Sequence, residues 1–188
     1  MKISVNDVRP GQVLEHQSKL WRVVKTEHVK PGKGPAYLQV ELKGVDHPTK
    51  LNERLRTADT IERVRLDETD YQFLYGDDDQ LHFMNQESFE QVALPKALVG
   101  DGLVFLQEGM IVTVQSYEGR PLSLSLPETV VCEIVEADPV VKGQTAAASY
   151  KPAILDNGIR VMVPPHVGTG TRVVVNTADS SYVERAKD

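Results

Sequence analysis

At 188 residues, 40% of them hydrophobic, the chain holds enough apolar material for one large domain or two to three small ones, which excludes a disordered chain. No apolar run approaches the roughly 20 residues that span a bilayer, and the opening MKISVNDVRP lacks the apolar centre of a signal peptide, so a cytoplasmic protein without a membrane partner is expected. The net charge of −6 argues against a general nucleic-acid binder, but the charge is uneven: residues 1–63 hold 12 Lys/Arg against 8 Asp/Glu (+4), residues 64–127 hold 3 against 11 (−8), and residues 128–188 hold 6 against 8 (−2).

The basic first third alternates apolar and polar residues over LWRVVKTEHV (20–29) and AYLQVELK (36–43), the period-two pattern of half-buried strands. Trp21 lies within the first run and is expected in the core rather than stacked on a base. Arg9, Arg22 and Lys30 are candidate phosphate contacts in this third. Between the two runs stands Val29-Lys30-Pro31-Gly32-Lys33-Gly34-Pro35-Ala36, which reads as a hairpin loop. Gly32 and Gly34 permit positive φ, while Pro31 and Pro35 fix φ and stiffen both ends, so Lys33 is expected at an exposed tip. The flanking glycines leave its ε-amino group open to another macromolecule or to a modifying enzyme. A lysine side chain reaches about 6 Å on bonds of about 1.5 Å, and a further lysyl-sized group would roughly double that reach. A solvated turn favours the same residues, so the loop alone does not decide its role. The Gly32-Lys33 pair does not make a phosphate-binding loop, because Glu27 stands where the first glycine belongs and Gly34 where Ser or Thr should follow.

A polar stretch from Ala58 to Arg65, where the local charge changes sign, marks a first boundary, and Leu126-Pro127-Glu128 marks a second. The middle third carries turn signals at Gly76-Asp77-Asp78 and Glu118-Gly119, and a single helical turn is expected over Lys96–Val99, after Pro95 and before Gly100. Asp77-Asp78-Asp79 reads as an acidic hairpin turn, since the twelve-residue calcium loop with its terminal glutamate is absent. The last third returns to alternation in TVVCEIVE (129–136) and TRVVVNT (171–177), with a turn at Asn157-Gly158. Cys132, the only cysteine, alternates there with Val130 and Ile134 and reads as a buried, inert thiol. Three all-β units follow, 1–63, 64–127 and 128–188, each so small that a tight barrel closing its own edges suits it. His16, His28, His47, His82 and His166 share no metal-ligand spacing, and no nucleophile and base are assembled, so neither a metal site nor an enzyme is expected.

Three separated segments carry a family resemblance. They are Lys30-Pro31-Gly32-Lys33-Gly34, then Lys151-Pro152-Ala153 followed by Gly158, Val161, Val163-Pro164 and Gly170, and finally Tyr182-Val183-Glu184-Arg185. Over essentially its whole length the sequence resembles the bacterial elongation factor P family, in the branch that bears a tip lysine. The resemblance implies an N-terminal SH3-like (KOW-like) barrel and two OB-folds in an L-shaped, tRNA-like arrangement. It implies a monomer that binds the 70S ribosome beside the peptidyl-site tRNA and relieves stalling at consecutive prolines. The tip lysine would position the CCA end while the ribosome remains the catalyst. In many relatives that lysine carries a β-lysyl or related group, added by an enzyme resembling lysyl-tRNA synthetase, and no other cofactor is implied. On this chain Lys33 would be the modified residue, with Lys30, Pro31, Gly32, Gly34 and Pro35 as its supporting loop. Tyr182 and Arg185 would contact RNA through the terminal motif. Gly143-Gln144-Thr145 occupies the place of a Gly-Asp-Thr loop that approaches exit-site mRNA; Gln144 can hydrogen-bond there but supplies no carboxylate. His166 also departs from the family, replacing a usual aromatic. Lys33 argues against the rhamnosylated branch, which carries arginine, and against the elongation-factor-P-like paralogue, whose loop lacks this Pro-Gly-Lys-Gly arrangement. A generic OB-fold RNA-binding protein is the other alternative.

Overall fold

The computed structural model describes residues 1–139 and 149–187 and is all-β, with helix among them confined to short 3-10 segments. The chain divides into two compact units, Met1–Thr69 with Val114–Ser123, and Asp70–Thr113 with Leu124–Asp188.

The first unit is built on strands β1 (Lys2–Ser4), β2 (Val13–His16), β3 (Lys19–Val29), β4 (Tyr37–Gly44), β5 (Lys50–Arg56) and β6 (Thr60–Val64). They form one antiparallel sheet in the order β1-β6-β2-β3-β4-β5, which leaves β5 on an edge. Alternation places Leu14, Trp21, Val23, Leu38, Val40 and Leu42 on one face, where Val5 and Val8 of an N-terminal turn cover them. Burying each such side chain is worth about 1.5–3 kcal/mol, so this face contributes strongly to the unit's stability. Trp21 is only 2% exposed, donates its indole N–H to the His16 carbonyl at 2.9 Å and meets His47 edge-on at 4.6 Å. The sequence reading of Trp21 as core is therefore correct. Gly44 has to be glycine, because a Cβ there would collide with the His47 backbone carbonyl and ring.

The reverse face of the same sheet is used in part. Val13, Leu20, Val64 and Leu122 form a second, smaller cluster, joined by Val45, Leu66 and Tyr117. Arg22 lies beside it and donates to the Gly11 carbonyl at 3.1 Å and to Gln115 Oε1 at 3.0 Å. A bulge between Val23 and Lys25 interrupts the β3–β4 register and leaves Val24 exposed. Such a bulge adds local twist, and beyond it Lys25, Glu27 and Val29 share the reverse face with Tyr37, Gln39 and Glu41.

The middle of the chain contributes β7 (Asp67–Gly76), β8 (Gln80–Asn85), β9 (Gln91–Pro95), β10 (Ile111–Tyr117) and β11 (Arg120–Ser125), in the sheet order β11-β10-β7-β8-β9. Phe73 and Phe83 pack tilted at 5.5 Å inside it. The helical turn expected at 96–99 is a 3-10 turn, Lys96–Leu98, and a second one, Gly100–Phe105, follows that the sequence reading missed. Two glycines disguise it, yet Gly100 supplies a φ of +64° and Phe105 is buried in the C-terminal core.

The second unit ends in β12 (Thr129–Ala137), β13 (Lys151–Leu155), β14 (Arg160–Val163), β15 (Arg172–Asn176) and β16 (Tyr182–Arg185), ordered β14-β13-β12-β15-β16. Its core joins Val130, Cys132 and Ile134 to Ala153, Leu155, Val161, Val163, Val173 and Val175. Burial pushes the Cys132 thiol up to about 11, with the Asp156 carboxylate adding to the effect, so the thiol is inert as expected. No helix among the described residues is long and apolar enough to cross a membrane.

Candidate functional site

The β3–β4 hairpin delivers the tip loop. Its last register pair is Val29 with Tyr37, and residues 30–36 between them carry no regular structure. Every residue from Lys30 to Pro35 is exposed, so the loop projects from the sheet with Lys33 at its centre. The base, by contrast, is anchored. The Ala36 carbonyl accepts both the backbone N–H and the Oγ1–H of Thr57, each at 3.2 Å, and the Thr57 carbonyl accepts Asn6 Nδ2–H at 3.4 Å. Beside the base, the Arg54 guanidinium lies 5.2 Å over the Tyr37 ring, an arrangement that holds an aromatic face and a cation together. Sequence reasoning missed Tyr37, Arg54 and Thr57. The signal that could have found the first two is the even spacing of cations in KLNERLR, set against the aromatic that opens the preceding strand.

The two glycines have different roles. Gly34 adopts a φ of +107°, which a side chain rarely tolerates, whereas Gly32 does not use the left-handed region. A Cβ at either position would meet nothing within 4 Å. Gly34 thus shapes the turn, and Gly32 keeps the approach to Lys33 clear. Both glycines permit positive φ, and only Gly34 uses it.

The other candidates are dispersed. Arg9 is exposed, but its guanidinium folds back onto the carbonyls of Asn6 at 2.8 Å and Val8 at 2.9 Å. Arg22 is half-buried, with donors engaged by Gly11 and Gln115, so it works as a brace within its unit. In the second unit Tyr182 and Arg185 open and close β16; Arg185 is exposed, and Tyr182 packs against the C-terminal core. Burial, then the neighbouring Tyr150 and Glu184, raise the Tyr182 phenol above its ordinary range, against the pull of Arg185. Gly143, Gln144 and Thr145 lie outside the described residues. In the signature around 151–170, Ala153, Val161 and Val163 are core residues, and Gly158 and Gly170 take φ of +83° and +87°. Those residues build a fold rather than a binding surface.

The acidic turn is as expected, and it is self-contained. Asp77 Oδ1 accepts the backbone N–H of Asp79 at 3.0 Å and of Gln80 at 2.7 Å, while Oδ2 accepts from His82 Nε2 at 2.8 Å. The His82 bond, with the two amides, holds the Asp77 carboxyl down at about 2. Among the described residues no group of His, Cys, Asp and Glu could hold a metal ion.

The chain matches three family models in succession: the elongation factor P KOW-like domain over residues 4–61, the OB domain over 66–124 and the C-terminal domain over 130–185. It is 60% identical over 185 residues to elongation factor P 1 of Mesorhizobium japonicum, covering 98% of each chain. It is 57% identical over 186 residues to elongation factor P of Zymomonas mobilis, covering 99% of this chain and 100% of the relative. Among solved structures it resembles eukaryotic translation initiation factor 5A from Methanococcus jannaschii, with a TM-score of 0.55 and 21% identity over 68% of this chain and 92% of that one, a likeness of fold. The chain belongs to the elongation factor P family of translation elongation factors, with a KOW-like N-terminal domain followed by two OB-type domains.

Proposed function

We propose that the chain binds the ribosome beside the peptidyl-site tRNA and speeds peptide-bond formation at consecutive prolines by ordering the tRNA CCA end with Lys33. The observation that carries this reading is the tip itself: an exposed lysine on a glycine-cleared loop whose base is tied down through Ala36 and Thr57. A cation on a fixed base can order RNA phosphates and 2′-OH groups without doing chemistry. Proline is a constrained, poor nucleophile, and holding the two reactants in place can lower such a barrier by several kcal/mol. The ribosome remains the catalyst.

Lys33 is also the proposed site of a β-lysyl or related group, attached by an enzyme resembling lysyl-tRNA synthetase. The open approach at Gly32 supports access by such an enzyme. Translation of a Pro-Pro-Pro reporter tests the proposal: wild type should relieve the stall and Lys33→Ala should not, whereas equal relief by both would remove Lys33 from the mechanism. Peptide mass analysis of native protein across residues 29–37 tests the modification, which an unshifted Lys33 would contradict.

A further inference from the structure

We propose that Gln115 is a positioning residue for Lys33: its side-chain amide clamps β3 at the point where the arm that carries the tip loop leaves the sheet. This rests on the reading of Lys33 above and extends it to a residue outside the loop.

The arm has a definite root. β2 pairs with β3 only up to Arg22, which stands opposite Val13. The chain at Gly11 and Gln12 then holds Val23, by the Gly11 N–H to the Val23 carbonyl at 2.8 Å and the Val23 N–H to the Gln12 carbonyl at 2.9 Å. Past the bulge that follows, β3 has β4 as its only strand partner as far as Val29. From Arg22 to Val29 the strand runs about 23 Å at about 3.3 Å per residue, so a tilt of about 3° at the root moves the far end by about 1 Å. Where geometry decides a rate, a misplacement of about 1 Å can cost about 100-fold.

The clamp closes on Arg22. Its guanidinium donates to the Gly11 carbonyl at 3.1 Å and to Gln115 Oε1 at 3.0 Å, and the same Oε1 accepts the Ser123 hydroxyl proton at 2.8 Å. Gln115 Nε2–H in turn donates to Glu68 Oε1 at 3.1 Å. One neutral amide thus joins β3 to β7 and β11 from its own place on β10, with its acceptor and its donor both engaged. Arg22, Gln115 and Ser123 are half-buried, which shields these bonds from water, and the charged donor makes the Arg22 bond a strong one. An apolar side chain of similar size at 115 would leave the Arg22 N–H and the Ser123 O–H without that partner. Gln115 and Ser123 lie in the stretch matched to the OB domain and Arg22 in the stretch matched to the KOW-like domain, yet all three fall in the first compact unit. The clamp is therefore built into the body that carries Lys33.

The test follows single-turnover peptide-bond formation on stalled Pro-Pro complexes over a range of factor concentrations, which separates maximal acceleration from half-saturation. It compares wild type, Lys33→Ala, Gln115→Leu and the double variant Gln115→Glu/Glu68→Gln, in which every bond of the clamp can re-form with the one between residues 115 and 68 reversed. Melting curves check that each variant is folded; should Gln115→Leu not be, Arg22→Met cuts the same bond from its other end and takes its place. Gln115→Leu should half-saturate within a few-fold of wild type and lose at least about tenfold in maximal acceleration, the signature of a misplaced tip rather than of lost binding. The double variant should recover that loss. Native-state hydrogen exchange of the amides from Lys25 to Val29 should be faster in Gln115→Leu and at the wild-type rate in the double variant. Full maximal acceleration by Gln115→Leu, a loss confined to half-saturation, a double variant as slow as Gln115→Leu, or unchanged exchange would overturn the inference, and inactive Lys33→Ala would leave the role of Lys33 standing. A wild type without acceleration, or a Lys33→Ala that matches wild type, would contradict the proposed function itself.

Discussion

Thr57 gives both its backbone N–H and its hydroxyl proton to the carbonyl of Ala36, each at 3.2 Å, and so pins the end of the Lys33 loop to the residue that follows β5. Thr57→Val removes one donor and keeps the other. A loss of about 0.5–1.5 kcal/mol in stability is expected, together with faster hydrogen exchange of the residue-57 amide and weaker stall relief. Unchanged exchange would show that the hydroxyl does not anchor the loop.

Gly32 and Gly34 should separate on substitution. Gly34→Ala forces a Cβ onto a φ of +107°, a strain of about 1–3 kcal/mol that moves the tip to another conformation. Gly32→Ala meets neither strain nor neighbours and should leave the chemical shifts of Lys33 unchanged. If it still lowers rescue, the added methyl obstructs a partner or a modifying enzyme. Larger shifts from Gly32→Ala than from Gly34→Ala would contradict the assigned roles.

The Asp77 turn should be acid-sensitive. Its carboxyl sits at about 2 against an ordinary 3.8, so its contribution to stability is present above about pH 4 and is lost as the pH falls toward 2. Asp77→Asn keeps an Oδ1 acceptor for the two amides and removes the charge. It should abolish that pH dependence, read as the melting temperature between pH 5 and pH 2, and an identical profile in the variant would sink the account.

Cys132 should resist thiol reagents in the native protein, because burial disfavours the thiolate and blocks access. Reaction should appear only with unfolding. Rapid labelling under native conditions would mean that the C-terminal core opens far more readily than its packing indicates.

Much of this was legible in the sequence because strand alternation and turn residues act locally. The runs at 20–29 and 36–43 became β3 and β4, and the glycine-proline segment between them became the exposed loop. What escaped depends on partners distant along the chain. Arg22 reads as a free cation until Gln115, 93 residues away, takes one of its N–H groups. The bulge at Val24 shows in the sequence only as the Val23-Val24 doublet that breaks the alternation, yet it decides which β3 residues share a face with Tyr37. The cations of KLNERLR counted only toward a basic third, because nothing local says that Arg54 lies over the Tyr37 ring.

The central claim is that Lys33 acts after binding, by ordering RNA at the ribosome's own active site. Its most direct test measures single-turnover peptide-bond formation on stalled Pro-Pro complexes at saturating factor, with ribosome affinity measured in parallel. Lys33→Ala is predicted to bind within a few-fold of wild type and to lose nearly all of the acceleration. Full acceleration by Lys33→Ala at saturation would contradict the claim.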